Sequence, residues 1–389
     1  MYGVLRFVAG DAGARYPEAM SPFGSSPTGA RLERMKASPL FARGTFQNPS
    51  GASPTLAKGS RLSTMGEFFF GGERREPLAP LPSESPIDRW MRPADSGLRA
   101  TWLGHSTVLV EIDGKRVLTD PVWSHRASPF GFAGPKRFQP VPVAIDRLPP
   151  LDAVILSHDH YDHLDRAAVV ALAPRGVPFI TPLGVGAHLE AWGVPAAQIT
   201  EVDWWERVEI GDLTITAAPS QHFSGRGPRD RNRTLWSSFA VRGPRRSFFY
   251  SGDTGLTPAY GEIRERLGPF DLVMLEVGAF HPSWGTIHLG PENALEALAL
   301  LGGGALLPVH WGTFNLGIHA WDEPAETLLT LAPKRDVQLV MPRLGAPVEP
   351  TQGERVEPWW REIAALEKKS APPVVEREGE AVVVGEPID

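Results

Sequence analysis

Residues 157–163 read SHDHYDH, placing His158, His160, Asp162 and His163 within one short run of a 389-residue chain that has only 11 histidines. Imidazole nitrogens and carboxylate oxygens are metal-ligating groups, and N/O donors at this density form a metal-site pattern. The apolar run LDAVILS enters the cluster as a strand, and DHLDRAAVVALA begins a helix at its end. The donors therefore sit at a strand-to-helix turn, where side chains converge without burying loop backbone. His158 and His160, two apart on extended chain, project to one side. Asp162 and His163 come from the turn and reach toward a second centre. The plain structural alternative is a helix-capping loop with Asp162 as N-cap.

One cluster cannot complete two coordination spheres, so further donors are required elsewhere. His222 follows the strand LTITAAPS, Asp253 follows RSFFYS in YSGDTG, and His310 follows GALLP in LPVHWGT. Taken singly, these read as a loop histidine, a turn aspartate and a buried imidazole. Their recurrence just beyond strand ends, where ligands gather in sheet-containing folds, makes them candidate ligands.

The elements that must position these donors are legible as short apolar runs. From Leu98 the alternating segment LRATWLGHSTVLVEIDGKRVLTDP carries Asp113-Gly114 between two apolar stretches, a hairpin signal. LDAVILS, PFITP, LTITAAPS, RSFFYSGD, FDLVMLEVG and GALLPVHWG follow as strands. RAAVVALA, VGAHLEAWG, AYGEIRERLG and PENALEALALLG have helical spacing, the last with Pro291 in its first turn and Gly302 at its end. Strands alternating with helices after an early hairpin predict an α/β fold that is partly antiparallel. Residues 1–97, rich in Gly, Pro, Ser and Arg, are expected as an irregular arm flanking the core; 98–365 form the domain; 366–389 are expected as a mobile acidic tail.

The composition excludes several chemistries. With no cysteine there is no disulfide, thiolate nucleophile or thiolate metal site. A formal charge of −6 argues against nucleic acid as partner. No run approaches the roughly 18 uninterrupted apolar residues of a spanning helix, and the N-terminus makes a poor signal peptide, so a cytoplasmic protein is expected, with peripheral contact with a membrane as a further option.

The donor motif and its surroundings resemble the metallo-β-lactamase superfamily, whose HxHxDH signature is met by His158, His160, Asp162 and His163. Within it, TWLGHSTVLVE, LTDPVWSHRASP, GPKRF, LPPLDAVILSHDHYDHLD, DWWE, PSQHFSGR, SGDTG, GPFDL and HWGTF are similar to the N-acylphosphatidylethanolamine-hydrolysing phospholipase D group. The resemblance covers roughly residues 98 to 345. It implies an αββα sandwich, two mixed β-sheets packed face to face with helices on both outer faces and a dinuclear site at one edge. It further implies that His158, His160 and His222 hold one Zn2+, that Asp162, His163 and His310 hold the other, and that Asp253 bridges both. Manganese and iron suit the same N/O donors. Two such ions generate hydroxide from a shared water and polarise the bond it attacks, with Asp162 orienting the hydroxide.

On this reading the substrate is a phospholipid or another small phosphodiester or ester. A lactonase or carboxyl-ester hydrolase with the same ligands is the alternative, and a non-catalytic metal-binding protein a third. His288, in GTIHLGP, resembles a substrate-contacting histidine of the group. His105 in LGHST is either a residue that orients a ligand or an ordinary buried polar group, and Asp120 in LTDP reads first as a turn residue. The segment HPSWGTIHLGPENA is shorter than its counterpart, with Gly290 where the group carries an acidic residue, so the metal chemistry transfers better than the lipid specificity. Phe68, Phe69 and Phe70 are expected to pack on the core, with insertion into a lipid interface as the other reading.

Overall fold

The computed structural model describes residues 21–52, 73–281, 283, 286–350 and 356–363. The aromatic run Phe68 to Phe70 and the tail from residue 366 lie outside the described residues. Within the segment expected as an irregular arm, helix α1 (Gly29–Ala37) precedes a small hairpin of β1 (Phe41–Ala42) and β2 (Thr45–Phe46). Met35 and Phe46 are buried there against Leu183, Leu235 and Trp236, which explains why this polar stretch is ordered.

The first large sheet contains β3 (Leu98–Gly104), β4 (Thr107–Ile112), β5 (Lys115–Thr119), β6 (Ala153–Ile155), β7 (Phe179–Pro182) and β8 (Ile199–Val202). The second contains β9 (Arg207–Ile210), β10 (Leu213–Ala218), β11 (Ser238–Arg242), β12 (Ser247–Tyr250), β13 (Leu272–Glu276) and β14 (Ala305–Val309), while β15 (Pro347–Val348) closes the first against β3. Pairing is antiparallel from β15 through β3 and β4 to β5, then parallel from β5 to β8. It is antiparallel from β9 to β12, then parallel through β13 to β14. Both sheets are thus mixed, as expected. Asp113 and Gly114 form the β4–β5 turn with φ of 48° and 85°, the left-handed pair that a two-residue hairpin requires.

Side-chain alternation explains the layers. Val108, Val110 and Ile112 of β4, with Val117 and Ile155, join Ile215, Ala217, Phe239 and Phe249 of the second sheet in one core. Leu109, Leu118, Val154 and Leu156 point the other way, onto Val169, Leu172, Leu189 and Trp192. Period two along each strand therefore buries both faces of the first sheet: one against the other sheet, one against helices. The helices are α2 (Ile87–Trp90), α3 (Arg166–Leu172), α4 (Gly186–Ala191), α5 (Ala259–Leu267), α6 (Gly290–Leu301) and α7 (Glu323–Leu331). Among the described residues, α7, β8, β9 and β11 had no counterpart in the sequence reading.

The helix after the histidine motif starts later than expected. Its N-cap is Asp165, not Asp162: the Asp165 carboxylate accepts from Ala167 N at 2.9 Å, from Trp123 N at 2.9 Å and from Ser124 N at 2.8 Å. Capping by Asp165 spares Asp162 for the site. Asp165→Ala removes the acceptor for three backbone donors, and a loss of about 2–3 kcal/mol in unfolding free energy is expected from the cap and the unsatisfied groups together. Chemical denaturation of the variant checks this; a change below ~0.5 kcal/mol would contradict the capping role.

Candidate metal centre

His158 and His160 lie just past β6 of the first sheet, whereas His222, Asp253 and His310 lie just past β10, β12 and β14 of the second. The edges of both sheets deliver the donors to one place. The donor atoms form two groups of four, each lying within 4.8 Å of one another: His158, His160, His222 and Asp253 in the first, His105, Asp162, His163 and His310 in the second; two overlapping groups of three add Asp120 with His158 and His163, and His288 with Asp253 and His310. Asp253 touches both. Its Oδ2 is 3.9 Å from His158 Nε2, 3.6 Å from His222 Nε2 and 3.2 Å from His310 Nε2, and its Oδ1 is 3.1 Å from His163 Nε2. Asp162 Oδ2 lies 3.3 Å from His310 Nε2 and 3.5 Å from His163 Nε2.

Groups behind the donors fix the ring orientations. His222 Nδ1 donates to Ile287 O at 3.0 Å, His163 Nδ1 contacts Asp120 Oδ2 at 2.6 Å, and His158 Nδ1 contacts Ser157 Oγ at 2.9 Å. Each contact turns the opposite nitrogen toward the centre, the arrangement by which metal-ligating imidazoles are oriented. Asp120, read first as a turn residue, is fully buried and also accepts from Ser157 N at 2.7 Å, Ser157 Oγ at 2.5 Å and the Tyr250 hydroxyl. Its role is to hold His163. His105 places Nε2 3.1 Å from Asp162 Oδ2 and packs its ring 4.1 Å from that of His310. His288 stands beside the centre: its Nδ1 contacts Glu276 Oε1 at 3.1 Å and its ring lies 5.1 Å from that of His222.

Several partners escaped the sequence reading. Glu276, Tyr250 and Ser157 look like ordinary strand or turn residues, and only the fold brings them behind the donors. Asn48, from the segment before the core, donates its Nδ2 to His222 O at 2.7 Å. The backbone is strained at the same place: His105, Asp120 and His310 adopt φ of 51°, 33° and 65° without being glycine. Gly278 is required beside them, since a Cβ there would lie 2.0 Å from His310 O.

The electrostatics suit a cation. Burial pushes His158 and His222 well below the ordinary imidazole value, with neighbouring imidazoles adding to the effect. Burial and His310 push His105 down to about 3. For His163 and His310 burial acts the same way but is outweighed by the carboxylates, chiefly Asp253, so that His163 is held well above its ordinary value and His310 is raised to about 10. Burial opposes ionisation of Asp162 and Asp253, yet the surrounding imidazoles hold both well below the usual carboxylate range. The buried Asp253 and the largely enclosed Asp162 thus demand positive charge. His163 Nε2, His310 Nε2 and Asp253 Oδ1 also lack hydrogen-bond partners despite full burial. Buried donors and acceptors that converge without satisfying one another are what a metal ion would satisfy.

A sandwich of two mixed sheets with this buried His/Asp centre at its edge defines a metal-dependent hydrolase. Residues 115–311 match the beta-lactamase superfamily domain. An uncharacterized protein of Mycobacterium tuberculosis is 46% identical over 329 residues, 83% of this chain and 88% of that one. The N-acyl-phosphatidylethanolamine-hydrolyzing phospholipase D 1 of Caenorhabditis elegans is 41% identical over 257 residues, 62% of this chain and 72% of that one. The isothiocyanate hydrolase from Delia radicum gut bacteria shares the fold at a TM-score of 0.53 and 23% identity, over 64% of this chain and 98% of that one. The chain belongs to the beta-lactamase superfamily.

Two outcomes follow from the orienting contacts and charges. Asp120→Asn keeps the shape but removes the charge behind His163, so metal affinity measured by chelator competition should fall by about 10–100-fold. Protons on His163 and His310 compete with metal, so affinity should weaken as pH falls and strengthen as it rises. An affinity constant across the pH range around neutrality would contradict this account of the site.

Proposed function

We propose that this hydrolase is a dinuclear zinc phosphodiesterase of phospholipase D type, acting on phospholipids like N-acylphosphatidylethanolamine. The observation that carries the reading is the pair of adjoining donor groups, with Asp253 of the first also 3.1 Å from His163 and 3.2 Å from His310 of the second, which suits a two-ion centre. The 41% identity to the worm phospholipase supports the substrate class. On this proposal His158, His160 and His222 hold one ion, Asp162, His163 and His310 the other, and Asp253 both. Zinc suits these borderline N/O donors, and manganese or iron fit the same set. When bound, a metal pair activates water and offsets charge on the scissile phosphate.

The chain's own groups supply positioning. Asp162 is the more accessible of the two central carboxylates, its side chain 15% exposed against 2% for Asp253. Its contacts with His105, His163 and His310 all fall on Oδ2, which leaves Oδ1 to accept a hydrogen bond from the attacking water and orient it. His288, held through Nδ1 by Glu276, presents its ring beside His222 as a donor to a phosphate oxygen. Attack of water oxygen at phosphorus forms one P–O bond and breaks the one to the N-acylethanolamine, which leaves as the alcohol by taking up the proton the attacking water gives up.

The test is release of phosphatidic acid from N-acylphosphatidylethanolamine in mixed micelles, with metal content measured by elemental analysis. About two zinc per chain and chelator-sensitive turnover are expected. Asp253→Ala should abolish turnover, and His288→Ala should lower kcat by about a hundredfold with metal content unchanged. A fully metal-loaded protein without turnover on this lipid or on bis(p-nitrophenyl) phosphate would overturn the proposal.

A further inference from the structure

Six large apolar side chains are exposed among the described residues, and three of these, Phe23, Phe130 and Phe132, are phenylalanines that touch one another. The rings of Phe23 and Phe130 are 6.0 Å apart and edge-on, and those of Phe130 and Phe132 are 5.5 Å apart. Phe132 is 82% exposed. A lone exposed apolar residue needs no explanation, but a contiguous aromatic tip marks an interaction surface.

The tip is held out by design of its loop. Arg126 donates from Nη1 to Gly134 O at 2.6 Å and from Nε to Gly131 O at 3.1 Å. Ala127 N donates to Pro135 O at 3.0 Å, and Arg126 bridges Lys136. These contacts close the loop behind Phe130 and Phe132, so the rings project from a braced base.

A basic loop adjoins the tip. Phe23 lies 3.8 Å from where a Cβ on Gly227 would stand, in the segment GRGPRDRNR. Arg229, Arg231 and Arg233 are exposed on it. The carboxylate of Asp230 is taken up by Arg226 N at 3.0 Å and Gly227 N at 2.8 Å. A chain with a formal charge of −6 therefore places a concentrated positive stretch next to its exposed aromatics. The surface also adjoins the metal centre: Tyr161, within SHDHYDH, donates to Arg226 O at 2.7 Å, and Arg231 lies over the ring of Phe223, which follows His222.

We propose that the Phe23, Phe130 and Phe132 tip and the Arg229 to Arg233 loop together dock the protein on an anionic phospholipid bilayer. The aromatic rings enter the headgroup boundary, where amphipathic and aromatic side chains partition. The guanidinium groups meet lipid phosphates, a planar match that charge alone does not give. This docking does not depend on which bond the metal centre cleaves, so it stands or falls separately from the proposed activity.

Because the chain has no cysteine, an F132C variant accepts a single environment-sensitive fluorophore. Vesicles of phosphatidylglycerol with phosphatidylcholine should shift its emission to the blue, and phosphatidylcholine alone should do so less. In co-sedimentation, the F130S/F132S double variant should bind these vesicles at least about tenfold more weakly than the unmodified chain. Replacing Arg229, Arg231 and Arg233 by Gln should weaken binding to the anionic vesicles and remove its salt dependence. Thermal unfolding and metal content of each variant establish that the fold is intact. Equal sedimentation of F130S/F132S and the unmodified chain, or no sedimentation of either, would overturn the proposal. So would a blue shift that grows with protein concentration without lipid, which would assign the tip to self-association.

Discussion

The carboxylate of Asp120 is the contact on which the centre depends. It is fully buried at the end of β5, yet it receives Ser157 N and Oγ from the histidine motif, His163 Nδ1, and the hydroxyl of Tyr250 from the other sheet. One side chain therefore sets the start of the motif, aims a donor and joins the two sheets beneath the site. A charge so deep in the protein is tolerable only because every partner is a donor aimed at it. Had this position been apolar, the strand ends would still meet, but His163 would lose its shortest contact at Nδ1, with only Ser157 Oγ at 3.5 Å left on that nitrogen.

The sheets are arranged to make that meeting inevitable. Each changes from antiparallel to parallel pairing at one strand, β5 in the first sheet and β12 in the second. The chain leaves those two strands at Asp120 and, shortly after Tyr250, at Asp253. Where pairing direction changes, neighbouring connections diverge and open a space at the strand ends, a recurrent place for ligands. One carboxylate at that space orients donors from behind, and the other lies among them.

Much of this was legible in the sequence because its signals are local. Seven donor residues could be found from density or from their place after an apolar run, and Asp113-Gly114 announced its hairpin through left-handed backbone preference. What remained hidden is non-local. Glu276 and Tyr250 end strands whose registers decide what they face, and Asn48 reaches His222 across 174 positions of chain. The helix boundary was misplaced because Asp162 and Asp165 are equally good caps by type, and only the backbone donors of Trp123 and Ser124 select Asp165. Aspartate and histidine tolerate left-handed backbone better than most residues, but residue type alone does not single out His105, Asp120 and His310 for it. Phe130 and Phe132, set among Gly and Pro, resemble any loop until their exposure is measured.

The dispersal of the donors has a consequence for synthesis. They run from the first sheet at His158 to the second at His310, and the hairpin segment that steadies His222 precedes them all. During translation the first sheet's half of the motif emerges long before the last donor, so an ion captured early meets an incomplete shell. Selection for a particular metal therefore falls on the finished tertiary structure rather than on the nascent motif.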